Sequence, residues 1–326
     1  YPGPIPGRTV TDIIGDEDGL WFATYGGGAA FYDGVDWVPW TVDAELGGNG
    51  IEAIRQDGHD QDTSIWFVHS GTGLSRYQPA SDTWQVYGSV EGALDWPSIP
   101  SVDSDGNLWI GEYEELLYFD GQTWNTVSAP ELEGVEIYAI EIGPDDVKWL
   151  VTSSGLMRQD PVTGAWTKFA AADRFFAQEP WALLAASDGT LWVGGEEGLV
   201  QFDGSSWGVP EASGDAPIAI FDLAEAPDGS LWIAADGELG HLVDGRWSYY
   251  PWPYDGWLQT VTAAPDGTIW AGYEALGRYD PDSGEWQVFT SADGLVHDTV
   301  QAIHVTPEGE VWIGTEAGVS RYVPPE

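Results

Sequence analysis

Residues 188–207 read DGTLWVGGEEGLVQFDGSSW, and this stretch contains the pattern that decides the fold. An Asp-Gly pair, typical of a tight hairpin turn, precedes a short apolar run centred on Trp192. A second apolar run ends at Phe202, another Asp-Gly turn follows, and a further strand begins near Trp207. Together with the apolar segment before residue 188, the stretch predicts one antiparallel sheet of four short strands, A to D.

The same pattern recurs along the whole chain of 326 residues. Its first tryptophan occurs eight times at a mean spacing of about 42 residues, a period typical of propeller blades. These eight anchor tryptophans are Trp21, Trp66, Trp109, Trp149, Trp192, Trp232, Trp270 and Trp312. A second tryptophan follows the first seven, at Trp37, Trp84, Trp124, Trp166, Trp207, Trp247 and Trp286. We therefore expect residues 1–326 to form a single domain, an all-β, eight-bladed β-propeller of four-stranded antiparallel blades.

Burial of these tryptophans gives the physical reason for a closed ring. A twisted four-stranded sheet cannot cover both of its apolar faces, whereas radial stacking gives every blade a neighbour on each side. Each tryptophan buries about 200 Å², which at roughly 25 cal/mol per Å² contributes several kcal/mol before entropy is subtracted. We expect the indoles in the seams between blades and the acidic side chains on turns and loops.

Composition excludes several classes of protein. With 54 Asp and Glu against 10 Lys and Arg the net charge is −44, yet 13% of the residues are aromatic, which rules out a disordered acidic chain. Nucleic acid and anionic lipid surfaces are excluded as partners, because binding to them depends on Lys and Arg. The sequence contains no Cys, so disulfides and thiolate metal sites are absent. No apolar stretch reaches the roughly 18 residues of a membrane span, so no membrane insertion is expected.

The chain begins at Tyr1 without a charged and then apolar leader. We interpret this start as that of an exported protein, extracellular or periplasmic, from which the signal has already been removed.

Residues 188–207, together with EGEVWIGTEAGVSRY at 308–322, resemble the two-component regulator propeller repeat, whose pattern is close to DGxLWIGTxxGLxRYDGxxW. The resemblance extends over nearly the whole chain, and the Gly-His and Trp-Asp signatures of WD repeats are missing. It implies a β-propeller. In the family that gives the repeat its name, such propellers form the extracytoplasmic sensing region of hybrid histidine kinases. This sequence contains no kinase and no helical linker, so the resemblance implies the fold more strongly than the sensing role.

The eighth copy stops after strand C, at Val323-Pro324-Pro325-Glu326, because proline cannot donate to a strand ladder. The N-terminus has three prolines within its first six residues and would make a poor substitute for strand D. Two alternatives remain open: a three-stranded last blade closed by face packing, or an edge that accepts a strand from another molecule. The candidate residues of this assembly edge are Tyr1, Ile5, Val319, Tyr322 and Val323.

Several aromatic residues outside the anchor positions fall in or beside the long D-to-A loops. These candidate binding residues are Trp96, Phe175, Phe176, Trp181, Trp252, Tyr254 and Trp257. Exposed aromatics near carboxylates stack on sugar rings, hold cationic groups or form protein interfaces. The alternative interpretation is that they cap the mouth of the central channel.

The sequence offers little for catalysis or metal binding. Five histidines lie in different repeats without metal-ligand spacing. Streptogramin lyases are also propellers that use a histidine with magnesium, so by analogy His304, on an inner strand, is the one catalytic candidate; a structural role is the alternative. Residues 16–19 and 103–107 resemble the start of a calcium loop but lack its closing glutamate, and Asp-Gly suits a hairpin there. No cofactor is expected beyond weak calcium or magnesium association with the acidic surface.

We therefore expect a non-catalytic extracellular propeller that acts through protein contacts. Its partners would include copies of itself, joined into an extracellular polymer through the incomplete last blade and the termini. One alternative is a ligand-sensing or carbohydrate-binding propeller that uses the aromatic loops. The other is an enzyme similar to the streptogramin lyases.

Overall fold

Eight small antiparallel sheets follow one another along the chain, each built from strands that are consecutive in sequence. The computed structural model describes residues 5–16, 18–41, 46–48, 50–57, 64–69, 72–87, 98–143, 146–169, 181–196, 198–209, 219–243, 245–254 and 256–324. Within these residues seven sheets have four strands and the last has three, which confirms the eight-bladed propeller predicted from the repeat.

The first four blades contain strands β1 to β16. Blade 1 contains β1 (Thr9–Asp16), β2 (Gly19–Tyr25), β3 (Gly28–Tyr32) and β4 (Trp37–Trp40). Blade 2 contains β5 (Ile51–Gln56), β6 (Ile65–His69), β7 (Gly73–Gln78) and β8 (Thr83–Tyr87). Blade 3 contains β9 (Ser101–Val102), β10 (Leu108–Glu112), β11 (Glu115–Phe119) and β12 (Trp124–Thr126). Blade 4 contains β13 (Ile137–Ile142), β14 (Lys148–Thr152), β15 (Gly155–Gln159) and β16 (Trp166–Phe169).

The other four blades contain strands β17 to β31. Blade 5 contains β17 (Ala182–Ala185), β18 (Leu191–Gly195), β19 (Gly198–Phe202) and β20 (Trp207–Gly208). Blade 6 contains β21 (Ile220–Glu225), β22 (Leu231–Ala235), β23 (Glu238–Val243) and β24 (Arg246–Pro251). Blade 7 contains β25 (Leu258–Ala263), β26 (Ile269–Tyr273), β27 (Leu276–Asp280) and β28 (Glu285–Phe289). Blade 8 contains β29 (Val300–Val305), β30 (Val311–Thr315) and β31 (Gly318–Tyr322).

Helical structure is minor in this fold. Among the described residues, two short 3-10 helices, Pro130–Leu132 and Ser291–Asp293, lie between blades 3 and 4 and between blades 7 and 8. Among the residues that the structure describes, no helix has the length and apolarity needed to cross a membrane.

The first strand of each blade lies innermost. These eight inner strands contact one another in succession, and β29 contacts β1, so the ring is closed. Because consecutive strands are antiparallel, the D-to-A loops and B-to-C turns share one face, here called the loop face. The A-to-B and C-to-D turns share the opposite face, here called the turn face.

Acidic residues on the turn face organise its hairpins. Asp188 accepts a hydrogen bond from the Thr190 N–H at 2.8 Å, and Asp228 accepts one from the Ser230 N–H at 2.9 Å. The glycine that follows Asp228, Gly229, has a φ of 80°, a conformation that side chains disfavour. The Asp-Gly pairs are therefore used for backbone geometry, as the sequence predicts.

The anchor tryptophans occupy the seams between blades, as expected. All eight are buried. Trp66 of blade 2 contacts two rings of blade 3, with centroid distances of 5.1 Å to Phe119 and 5.8 Å to Trp124. The indole of each blade thus closes the seam with the next blade.

Blade 8 has three strands, and face packing closes the ring around it. Trp312 lies 5.5 Å from Phe22 and 6.3 Å from Trp37 of blade 1, and Ile5 packs against the same cluster. Of the two alternatives from the sequence, closure by face packing is therefore what the structure shows within one chain.

The residues of the candidate assembly edge have different environments. Val319 is buried in the seam with blade 1, and Tyr322 packs 5.1 Å from Trp270 of blade 7. Val323 is exposed, and Tyr1 lies outside the described residues. The buried side chains of β31 thus serve the ring itself, and among the described residues β31 pairs only with β30.

Candidate functional site

The inner strands carry a repeated irregularity close to the loop face. In six blades the pairing of strand A with strand B shifts by one residue, after the second pair in blade 1 and after the first pair in the other five. The extra residues are Thr11, Glu52, Tyr138, Phe221, Gln259 and Gln301. A β-bulge of this kind bends the strand and redirects a side chain, and such bulges are frequent beside functional sites.

Phe221, the bulge residue of blade 6, lies at the centre of a group of aromatic side chains. Its ring stacks on Trp181 at a centroid distance of 5.3 Å and an interplanar angle of 8°. On the other side it lies 6.0 Å from Trp257, which lies 6.4 Å from Tyr273. We call Trp181, Phe221, Trp257 and Tyr273 the aromatic row. It joins blades 5, 6 and 7 across the loop face.

The aromatic row is exposed although its backbone is fixed. Trp181 and Trp257 are 48% and 49% exposed. The Trp181 N–H donates to the carbonyl of Gly194 at 3.0 Å, and the Tyr273 N–H donates to the carbonyl of Ala275 at 3.2 Å. Large apolar side chains that are held rigidly and exposed together are unusual on a soluble protein and mark interaction surfaces.

The structure separates the predicted loop aromatics into different groups. Trp181 and Trp257 meet in the aromatic row, and Tyr254 is 40% exposed beside Trp252. Trp252 differs from the expectation: it is 7% exposed, lies 5.1 Å from Trp286, and serves packing instead of contact with a ligand. The reason is the absence of a side chain at Gly277, where a Cβ would lie 2.3 Å from the Trp252 ring.

Three of the predicted residues, Trp96, Phe175 and Phe176, lie outside the described residues. The sequence did not predict Phe221 and Tyr273 as site residues, because both lie in strands and the prediction considered aromatic residues of the D-to-A loops. One signal was available. At the position of Phe221 most other repeats have a polar residue, so a phenylalanine there departs from the repeat.

Charged residues of the inner strands connect neighbouring blades around the channel. Asp12 of blade 1 accepts hydrogen bonds from the Ile54 N–H at 2.9 Å and from Arg55 at 3.1 Å, both in blade 2. Asp222 of blade 6 accepts the equivalent bond from the Val261 N–H at 2.9 Å, with Thr260 in place of the arginine. Burial raises the pKa of Asp222 to about 6.

Two further ionisable groups lie on the inner strands. Burial raises the pKa of Glu141 to about 7, and the charge of Arg55 opposes that shift. Burial lowers the pKa of His304, and the charge of Asp12 opposes that shift. His304 pairs with Trp312 across the ladder and is half-buried. In the part of the chain that the structure describes, no three His, Asp or Glu side chains converge on a possible metal position.

Asp103, at the start of the calcium-like segment 103–107, has protein donors around its carboxylate. It accepts hydrogen bonds from Asn107 N–H at 2.8 Å and from the Trp109 indole at 2.7 Å, and Lys148 Nζ lies 3.6 Å away. The carboxylate therefore closes the A-to-B hairpin, in agreement with the hairpin interpretation of this segment.

Comparison with solved structures places this fold among known propellers. The chain is similar to the extracellular domain of a putative hybrid two-component system protein from B. thetaiotaomicron, with a TM-score of 0.60 and 13% identity over 97% of this chain and 51% of that one. This chain spans about half the length of that domain. A streptogramin B lyase matches with a TM-score of 0.59 and 15% identity over 98% of this chain and 94% of the lyase.

A computationally designed protein matches with a TM-score of 0.73 and 11% identity over 98% of both chains. At these identities the similarities establish the fold, and the first of them agrees with the resemblance of the repeat to two-component regulator propellers. No protein-family model and no curated protein matches the sequence.

Proposed function

We propose that this propeller is a non-catalytic interaction module of an exported protein, and that the aromatic row is its contact surface. One observation carries the proposal. Side chains from three blades form a continuous aromatic surface on the loop face, in which Trp181 and Trp257 are exposed and Phe221 between them is half-buried. Aromatic residues on a rigid scaffold are the residues that contribute most binding energy in protein interfaces.

The surroundings of the aromatic row favour a protein partner with an apolar patch bordered by Lys and Arg. Phe221 covers one face of the Trp181 indole, so the row presents a broad ridge in place of separate platforms. The B-to-C turns of the same three blades place the exposed carboxylates of Glu196, Asp236 and Glu274 on this face. Complementary charge at the border of an interface increases the association rate and orients the partner.

The test is the double variant Trp181→Ala and Trp257→Ala, with Tyr25→Ala as the matched control because Tyr25 is exposed on the loop face of a distant blade. The secreted proteins of the host organism would be captured on each immobilised propeller and quantified by mass spectrometry. We expect a partner that the wild type and the control retain and the double variant loses. Identical capture by all three proteins would contradict the proposal.

A glycan array run with the same three proteins distinguishes a carbohydrate ligand from a protein partner. Binding of a polysaccharide by the wild type and the control, with loss in the double variant, would assign the aromatic row to carbohydrate and overturn the protein-interaction proposal.

A second candidate function is assembly of copies through blade 8. This candidate is supported by the pairing of β31, which in the described chain pairs with β30 on one side and with no strand on the other. Edge strands of this kind accept a strand from another molecule. Because the net charge of −44 opposes association, we expect polymers only where salt or divalent ions screen it.

The variant that tests assembly gives blade 8 a fourth strand from within its own chain. A copy of residues 280–289, the C-to-D turn and outer strand of blade 7, is joined after Tyr322. Sedimentation velocity and negative-stain microscopy across salt and calcium concentrations would show polymers of the wild type that the completed variant does not form. A wild type that remains monomeric at every concentration would rule out assembly.

A further inference from the structure

One position of the repeat differs between blades in a way that the proposed function does not use. This is the strand C residue that pairs with the anchor tryptophan across the ladder. It is an arginine in four blades, where Arg76, Arg158, Arg278 and Arg321 pair with Trp66, Trp149, Trp270 and Trp312. In blades 5 and 6 it is shorter, Gln201 opposite Trp192 and His241 opposite Trp232.

Arg76 fills the seam in which it lies. The guanidinium carbon of Arg76 lies 5.4 Å from the centre of the Trp66 ring and 4.7 Å from that of Phe119 in the next blade. Its Nε donates a hydrogen bond to the Ser64 hydroxyl at 2.8 Å. A guanidinium is suited to this place because it stacks on aromatic faces and keeps its in-plane donors free for hydrogen bonds.

The same arrangement recurs at the seam between blades 8 and 1. Arg321 lies 5.2 Å from the centre of the Trp312 ring, and Glu310 pairs with it. The fold therefore contains a repeated guanidinium position, formed by an indole and by the polar residue directly before strand B.

Both seams with a shorter residue contain cavities that open on the turn face. The cavity between blades 6 and 7 has a volume of about 310 Å³ and is lined by Trp232 and His241. The cavity between blades 5 and 6 has a volume of about 280 Å³ and is lined by Trp192 and Gln201. Each cavity thus lies beside an anchor tryptophan whose ladder partner is neither an arginine, as in four blades, nor a phenylalanine or tyrosine, as in blades 1 and 3.

The cavity between blades 6 and 7 has the chemistry of a cation site. Asp228 of blade 6 and Asp266, Asp280 and Asp282 of blade 7 line it. His241 stacks on Trp232 at a centroid distance of 3.9 Å, and its Nε2 atom is buried without a hydrogen-bond partner. Burial lowers the pKa of His241, so the imidazole is neutral at pH 7 and adds no positive charge.

We propose that the cavity between blades 6 and 7 binds a guanidinium group from a ligand beside the stacked rings of Trp232 and His241, in the seam that corresponds to the one Arg76 fills between blades 2 and 3. The cavity between blades 5 and 6 shares Asp228 and Ser230 with it and provides a second, adjacent site. The guanidinium belongs either to arginine side chains of a partner or to a free small molecule. Because the cavities open on the face opposite the aromatic row, this proposal does not depend on the proposed function.

The first experiment uses isothermal titration calorimetry with agmatine at constant ionic strength. The variant His241→Arg supplies the guanidinium from within the chain, and Gln287→Arg adds the same charge on exposed strand β28 as the control. We expect agmatine to bind the wild type and the control, with at least tenfold weaker binding to His241→Arg. Equal binding to all three proteins, or no binding to the wild type, would overturn the proposal.

A second variant tests the proposal independently if His241→Arg does not fold. The double substitution Asp266→Asn and Asp282→Asn changes two exposed carboxylates that line the cavity and leaves its aromatic wall intact. It should weaken agmatine binding severalfold, and 1,4-diaminobutane, a dication like agmatine but without the guanidinium plane, should bind the wild type more weakly than agmatine does. Equal affinity for the two cations would show that the acidic surface attracts either of them and would contradict a guanidinium site.

The source of the guanidinium is tested with acetyl-Arg-Gly-Arg-amide. Two arginines in one peptide can reach both cavities, and a linked second contact raises the affinity well above that of a single one. Binding at least tenfold tighter than that of agmatine supports arginine side chains of a protein partner as the natural ligand. Binding equal to that of agmatine supports a free guanidinium compound at the same site.

Discussion

Blades 8, 1 and 2 differ from blades 5, 6 and 7 in how the same repeat is completed. In the first group arginines supply the missing contacts: Arg321 and Arg76 lie on anchor tryptophans, and Arg55 pairs with Asp12 at 3.1 Å. In the second group Gln201 and His241 lie beside cavities, and the Asp222 carboxylate accepts its hydrogen bonds from backbone N–H groups and from Thr260.

This difference indicates that the repeat contains more positions for stabilising contacts between blades than the ring needs in order to close. Blades 8 and 2 fill the position opposite the anchor tryptophan with Arg321 and Arg76, and blade 1 has Phe31 there. Blades 5 to 7 leave some unfilled, and these same blades carry the aromatic row on the loop face and the cavities on the turn face. We infer that the ring is held most firmly near its closure and is available for contacts on the opposite side.

The largest expected effect comes from removal of an anchor tryptophan in each group. Trp66→Ala and Trp232→Ala both remove a buried indole, and such substitutions lower the free energy of unfolding by about 3–5 kcal/mol. We expect the loss to be larger for Trp66, because Trp232 borders a cavity that water can enter. Denaturation in guanidinium chloride measures both losses, and a larger loss for Trp232 would contradict the comparison.

An intermediate effect is expected when a filled seam is converted into an open one. Arg76→His reproduces the residue of blade 6 in blade 2 and removes the contacts of the guanidinium with Trp66 and Ser64. We expect a loss of about 1–2 kcal/mol in the free energy of unfolding, from one cation–π contact and one hydrogen bond. Exposed Arg246 provides the control, since Arg246→His should leave the stability almost unchanged.

The smallest effect concerns the two equivalent aspartates of the inner strands. Because burial raises the pKa of Asp222 from its ordinary 3.8 to about 6, the folded state binds this proton more tightly than the unfolded state. The resulting contribution to stability is complete below about pH 4 and is lost as the pH rises through 6. Asp222→Asn should therefore gain stability relative to the wild type as the pH rises from 4 to 7.

Asp12→Asn serves as the comparison for that measurement. This substitution removes the ion pair with Arg55 and should lower the stability at pH 7 by about 1 kcal/mol. Thermal unfolding from pH 4 to 8 would give the two variants opposite signs at neutral pH. The same sign for both would show that the arginine is not what separates the two junctions.

The sequence predicts part of the candidate site and misses the rest for an identifiable reason. Trp181 and Trp257 lie at the ends of D-to-A loops, directly before strand A of their blades, so their exposure could be expected. Phe221 points to the loop face only because a bulge shifts the register of β21. Trp252 occupies the same kind of loop position as Trp257 but is buried, because the bare backbone of Gly277 accepts its ring.

The number of blades, the positions of the anchor tryptophans and the missing last strand were determined by the sequence alone. They depend on periodicity, which is local along the chain. The joining of Trp181 to Phe221 and Trp257, and the cavities beside Gln201 and His241, were decided by the tertiary structure. Such features bring together residues about forty positions apart, and their size depends on ring closure and on side-chain volume in the neighbouring blade, which a single repeat does not contain.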